Sequence, residues 1–256
     1  MSPHRPRKRF GQHFLRDPGV IDAIIRAIGP AEDDTIVEIG PGEGAITRPL
    51  IARAGAVHLI ELDRDLAARL RDEFADATNV TVHQSDALSF DYGSLNGHLR
   101  VVGNLPYNIS TPLLFALLDY REHISDLHFM LQKEVVDRMA ASPGTKAYGR
   151  LGIMLGCHFR IEALFDVDPL AFDPPPEVMS SVVRLTPLPA GTYNIRDEKA
   201  LSRLVAQAFS QRRKTIRNAL RNIVDISTLE AVGIDPGLRP EAVEIAEYVE
   251  LANTLE

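Results

Sequence analysis

The sequence predicts an α/β protein built on a mostly parallel, doubly wound sheet, with a small all-helical domain at its C-terminal end. Three observations predict it. Short β-branched runs alternate with helical stretches of about ten residues, the first run ends in a glycine-rich turn, and strand signals stop after Asp197. Asp17-Pro18, the apolar spacing Val20, Ile21, Ile24, Ile25, Ile28, and then Gly29 read as a capped helix with a glycine stop. Thr35 to Ile39 is a first sheet strand, closed by Gly40-Pro41-Gly42-Glu43-Gly44 and followed by a helix over Ala45 to Arg53. Val57 to Glu61 and Arg64 to Phe74 form the next pair; Asn79 to Gln84 is a third strand. Leu99 to Gly103, a helix over Ser110 to Asp119, and Asp126 to Leu131 complete the alternation, which implies right-handed βαβ crossovers. Beyond Ser142-Pro143-Gly144, apolar runs at Gly152 to Phe159 and Ser181 to Leu185 read as further strands. Pro187, Pro189 and Gly191 mark a linker, so the expected domains are 1–190 and 191–256.

Composition narrows the class. With 256 residues, 45% hydrophobic and 25% charged, the chain can build a sizeable core, which excludes disordered, collagen-like and coiled-coil proteins. Apolar runs such as Leu113 to Leu118 are far too short to cross a bilayer. The single Cys157 permits no internal disulfide, and the basic start has no secretory or transit pattern, so a reducing, cytoplasmic setting is expected. A monomer is the expectation. The net charge of −7 argues against a polyanionic partner, but the charges are segregated. Residues 1–16 and 199–224 carry 12 of the 28 basic residues and no acid. Such clustering is a footprint for phosphate, or else a solvated helix face beside a basic terminus.

Two segments carry chemistry. The Gly40 to Gly44 turn lets backbone approach a ligand, and the acids Glu61 and Asp86 follow the next two strands, so all three converge at the carboxyl edge of the sheet. An acid in the position of Glu61 can accept both hydroxyls of a ribose. The turn lacks the third glycine of a pyrophosphate-binding GxGxxG, which favours a nucleoside without phosphates, such as S-adenosylmethionine. The second segment is Asn104-Leu105-Pro106-Tyr107, at the end of the fourth strand. An aromatic amine is a poor nucleophile because its lone pair is delocalised. Acceptors on Asn104 and a backbone carbonyl can hold its two N–H groups while Tyr107 stacks on the base, and Pro106 removes a competing donor. Phe172, before Asp173-Pro174-Pro175-Pro176, offers a second stacking face or anchors the proline loop. The eight histidines have no ligand spacing; His58, His128 and His158 read as structural, and no metal is expected.

Lys8 to Leu15, the Gly40 to Gly44 turn, Glu61-Leu62-Asp63, Asn104 to Ser110, Leu131 to Val135, Phe172 to Ser180 and Gln211 to Arg217 together resemble the bacterial small-subunit ribosomal RNA adenine dimethyltransferase family, over about residues 8–250. The resemblance implies a Rossmann-like, S-adenosylmethionine-dependent methyltransferase domain with a small helical C-terminal domain. It also implies transfer of two methyls to N6 of each of two adjacent adenosines in a hairpin loop near the 3′ end of 16S rRNA, within a small subunit or its precursor. Cofactor contacts carry over to His13, Leu15, Gly40, Glu61, Asp86 and Asn104; Leu105, Pro106, Tyr107 and Phe172 complete the substrate side. RNA contacts are expected at Arg7, Lys8, Arg9, Arg212, Arg213, Lys214 and Arg217. Many members have Asn where this chain has His13, which leaves a side-chain contact there open. Two other readings stand beside this one: an assembly factor whose catalysis is secondary, and a dimethyltransferase of large-subunit rRNA. The intact Asn104 to Tyr107 segment speaks against the first. The net acidity and the Gln211 to Arg217 segment speak against the second. A DNA adenine methyltransferase would be expected to have proline at Leu105.

Overall fold

A computed structural model describes residues 13–106 and 109–255. The chain enters through a two-residue strand, β1 (Phe14–Leu15), and then α1 (Pro18–Ile28), whose first turn is capped by Asp17 accepting from the Val20 N–H at 3.0 Å. Gly29 stops the helix at φ +59°, a conformation that costs other residues a Cβ clash. The alternation continues through β2 (Thr35–Ile39), α2 (Thr47–Ile51), β3 (Ala56–Glu61), α3 (Arg64–Glu73), β4 (Val80–Gln84), β5 (Leu99–Asn104), α4 (Ser110–Leu118) and β6 (Ile124–Gln132). Next come α5 (Lys133–Met139), α6 (Arg150–Gly156), β7 (Phe159–Val167), β8 (Phe172–Asp173) and β9 (Ser180–Pro187).

Seven strands form one sheet in the order β4-β3-β2-β5-β6-β9-β7, and β1 pairs antiparallel with β8 apart from it. Strands β2 through β6 are parallel; β9 runs antiparallel to β6, with Phe129 opposite Val183. From β2 the chain moves outward to β3 and β4, then returns to place β5 on the other side of β2. That reversal opens a crevice at the carboxyl ends of β2 and β5. The two strands lie close there: a Cβ on Gly103 would stand 2.5 Å from the Ile39 carbonyl oxygen, so only glycine fits. Arg100 fastens the opposite end of β5. It forks onto Asp126, reaches Asp34 at 2.7 Å, and donates to the carbonyls of Ile28 and Gly29.

The chain divides into two compact units, residues 1–136 with 162–187, and residues 137–161 with 188–256. The division expected from sequence, 1–190 and 191–256, instead groups residues 137–161 with the first domain. Within the second unit the Tyr148 hydroxyl donates to the Val243 carbonyl, and the ring of Phe209 packs between those of buried Tyr148 and Tyr248. That unit also contains α7 (Glu198–Ser210), α8 (Ile216–Leu220), α9 (Ile226–Ala231) and α10 (Ile245–Asn253), with no strand after residue 187 among the described residues. The expected strand over Gly152 to Phe159 is corrected as well. Its first part is α6, buried from Leu151 through Leu155, and the strand begins only at Phe159. A short run buried on all sides has no period to separate helix from strand. Within that helix position 152 is glycine for a steric reason, since a Cβ would meet the Arg138 carbonyl oxygen at 2.8 Å.

Candidate active site

The crevice at the carboxyl ends of β2 to β5 is lined by His13, Leu15, Gly40, Glu61, Asp86, Asn104, Leu105, Pro106 and Phe172, nine of the residues expected from sequence. Tyr107 and the basic residues Arg7, Lys8 and Arg9 lie outside the described residues.

Its floor is the glycine turn. Gly40, Gly42 and Gly44 have φ of +65°, +58° and +77°, and a Cβ on Gly42 would press on the Phe14 ring at 3.2 Å. The turn is held from both sides. Arg48 donates to the carbonyls of Gly44 and Glu43 and pairs with Glu73 at 2.7 Å, while Gly40 N–H bonds the Ile60 carbonyl. At the end of β3, Glu61 is 6% exposed. Its two oxygens accept N–H bonds from Gly42 at 3.2 Å and Asp63 at 2.8 Å, so the carboxyl is locked against the turn. Burial raises its pKa against the pull of those bonds. Asp86 turns the chain after β4 by accepting from Leu88 N–H at 2.9 Å, and exposed Leu62 and Leu88 supply apolar walls beside it.

Glu38 is a site residue that sequence reasoning missed. It lines the crevice from inside β2, is 2% exposed, and accepts a 2.6 Å bond from the Thr47 hydroxyl. Burial pushes its carboxyl up to about 7. An acid within an otherwise apolar strand was the available signal. Across the crevice, Asn104 donates through Nδ2 to the His13 carbonyl at 3.1 Å. Phe172 lines the same crevice yet is 5% exposed and packs in the core with Leu15, Met130 and Val182.

Charge selects what can bind. Five acids, Glu38, Glu43, Glu61, Asp63 and Asp86, line the crevice, and no lysine or arginine does among the described residues. A pyrophosphate would find no lysine or arginine to pair with among those lining residues, whereas a cationic nucleoside with free ribose hydroxyls meets an acceptor in Glu61. The glycine turn, Glu61 and Asp86 thus fit S-adenosylmethionine. No group of three or more potential metal-ligating side chains is found among the described residues.

The expected RNA contacts divide. Arg213, Lys214 and Arg217 are exposed. Arg212 also braces the second unit: it donates to the carbonyls of Lys146 and Tyr148, lies over the Phe209 ring at 5.9 Å, and reaches Glu241 at 3.7 Å, while 40% of its side chain stays exposed.

A doubly wound sheet with this crevice defines an S-adenosylmethionine-dependent methyltransferase. A model of the family described as ribosomal RNA adenine dimethylase matches residues 3–256. The chain belongs to that family. It is 56% identical over 253 residues to the ribosomal RNA small subunit methyltransferase A of Aromatoleum aromaticum, covering 99% of this chain and 95% of that one. It is 57% identical over 245 residues to the protein of the same name from Thiobacillus denitrificans, covering 96% of each. Among solved structures, a dimethyladenosine transferase from Plasmodium falciparum superposes with a TM-score of 0.82 at 25% identity, covering 93% of this chain and 96% of that one. The 23S rRNA methyltransferase ErmE gives 0.76 at 26% identity, covering 94% and 99%.

Proposed function

We propose that this enzyme dimethylates N6 of two adjacent adenosines near the 3′ end of 16S rRNA in a small subunit or its precursor, working as a cytoplasmic monomer. The observation that carries the reading is the acid-lined crevice with Asn104 at its rim, joined to relatives above 50% identity whose names specify the small subunit. No helix is long and apolar enough to cross a membrane among the described residues.

S-adenosylmethionine, when bound, supplies an electrophilic methyl group on a positively charged sulfur. Glu61 would hold the ribose, and Asp86, Leu15, Gly40 and the main chain at His13 would line the rest of the donor pocket. Asn104 Oδ1 and a main-chain carbonyl of the Asn104 to Tyr107 segment would accept the two N6 hydrogens. This turns the nitrogen lone pair out of conjugation and toward the methyl. Pro106, with no N–H, cannot compete for those acceptors. Tyr107 and Phe172 hold the extruded base, whose ring must leave its stack to reach the crevice. The N6 proton, acidified once the methyl arrives, departs to water, so no strongly basic side chain is required. Arg7, Lys8, Arg9, Arg213, Lys214 and Arg217 supply the phosphate contacts that carry most of the affinity.

The test is incubation with undermethylated small and large subunits and S-adenosylmethionine, followed by mass spectrometry of the digested rRNA. Dimethyladenosine at two adjacent small-subunit positions is expected. Product only in large-subunit rRNA would replace the assignment with the large-subunit reading.

A further inference from the structure

The Asp173 to Pro176 loop beside Phe172 has an unusual need. Pro174, Pro175 and Pro176 have no N–H, so this stretch can be fastened only through its carbonyls and side chains. A donor must come from elsewhere. His13 provides one: its ring Nδ1–H donates to the Pro174 carbonyl at 2.7 Å, from 161 residues away in sequence. The same residue touches the transfer site through its backbone. The His13 carbonyl accepts one Nδ2 hydrogen of Asn104 at 3.1 Å, which fixes the amide so that Oδ1 is the atom able to accept from a base N–H.

The residues after His13 make it a rigid anchor. Phe14 pairs with Asp173 and Leu15 with Phe172, and the Arg16 and Asp17 N–H groups both donate to the Ala171 carbonyl, at 2.8 and 3.2 Å. Phe14 packs on Gly42 of the glycine turn, and Leu15 shares a buried cluster with Phe172. One short ribbon therefore joins the cofactor turn, the transfer amide and the loop on the substrate side.

We propose that His13 is a positioning residue of the transfer reaction: its carbonyl sets the orientation of Asn104, and its imidazole clamps the Pro174 loop that presents Phe172. The proposal rests on the dimethylation reading above. It assigns the ring to the loop rather than to the cofactor, and it requires only a side-chain N–H at that place. An Asn amide sits where imidazole Nδ1 does, so His13→Asn keeps the donor, and His13→Ala removes it.

The full-length protein and both variants would be compared for S-adenosylmethionine affinity by calorimetry and for kcat and KM on small-subunit RNA. Hydrogen exchange at Phe172, Asp173 and Glu177 to Met179 would be measured without RNA. His13→Ala should lower kcat about two- to tenfold, the worth of one hydrogen bond, leave donor affinity within about twofold, and speed exchange in the loop. His13→Asn should restore both kcat and protection. Unchanged kcat and exchange in His13→Ala, no rescue by Asn, or donor affinity falling in step with kcat would each overturn the clamp. Absence of dimethyladenosine from the unaltered protein would defeat the underlying reading instead, and the exchange comparison would still decide the clamp.

Discussion

Replacing Glu61 by Ala tests the cofactor site at its most constrained point. The carboxyl is 6% exposed and held by the Gly42 and Asp63 N–H groups, so it cannot swing away and water cannot easily take its place. A hydrogen bond to a charged group is worth about 1.5–3 kcal/mol. Burial already opposes the charge on Glu61, so the two ribose bonds together should fall within that range rather than double it. The expected loss of S-adenosylmethionine affinity is roughly ten- to 150-fold. Acidity sharpens the test. Because the carboxyl is raised in the folded protein, its acceptor form is lost as pH falls through that raised value, so wild-type affinity should weaken on acidification more than that of Glu61→Ala. Calorimetry measures the affinities, and circular dichroism checks that the fold survives. An unchanged dissociation constant in a folded Glu61→Ala protein would refute the ribose role.

Three other outcomes follow from the same geometry. Glu38 titrates near 7 in the folded chain against an ordinary 4.5, so between those values the native state keeps a proton that the unfolded chain has released. Stability should then fall with rising pH by up to about 3 kcal/mol, and urea titrations of Glu38→Gln should show that slope flattened. Gly103→Ala should cost about 1–3 kcal/mol in thermal unfolding and weaken donor binding, since the new methyl meets the Ile39 carbonyl where β2 and β5 open the crevice; wild-type behaviour would remove that close approach from the account. Converting Arg213, Lys214 and Arg217 to Ala should flatten the salt dependence of RNA binding by about 0.7–0.9 in log-log slope per phosphate contact, whereas Arg212→Ala should lower the stability of the second unit without that change.

Much of the site was legible because it lies on regular elements. The β-branched runs and their following turns placed Gly40, Glu61, Asp86 and Asn104 at one sheet edge, and the structure brings them to one crevice. Legibility failed where long-range packing decides. Nothing local to Leu151 to Leu155 distinguishes a helix buried on every side from a strand, and the alternating polar residues of β7 gave no continuous apolar run. Arg212 looks like its neighbours in sequence; only the fold turns it toward the Lys146 and Tyr148 carbonyls. The His13 bond to Pro174 joins residues 161 positions apart, which no local pattern records.

In this mechanism Asn104 drives methyl transfer without carrying RNA affinity, and one paired measurement separates the two. Mono- and dimethyladenosine would be quantified by mass spectrometry in small-subunit RNA treated with wild-type and Asn104→Ala protein, alongside the RNA affinity of each. The amide donates to the His13 carbonyl at 3.1 Å, and the phosphate contacts are assigned to other residues, among them exposed Arg213, Lys214 and Arg217. The variant should therefore keep most of its RNA affinity, lose most transfer, and stall at monomethyladenosine, whose single N–H depends most on the remaining acceptor. Wild-type amounts of dimethyladenosine from Asn104→Ala would contradict the account, as would loss of RNA binding in step with loss of activity.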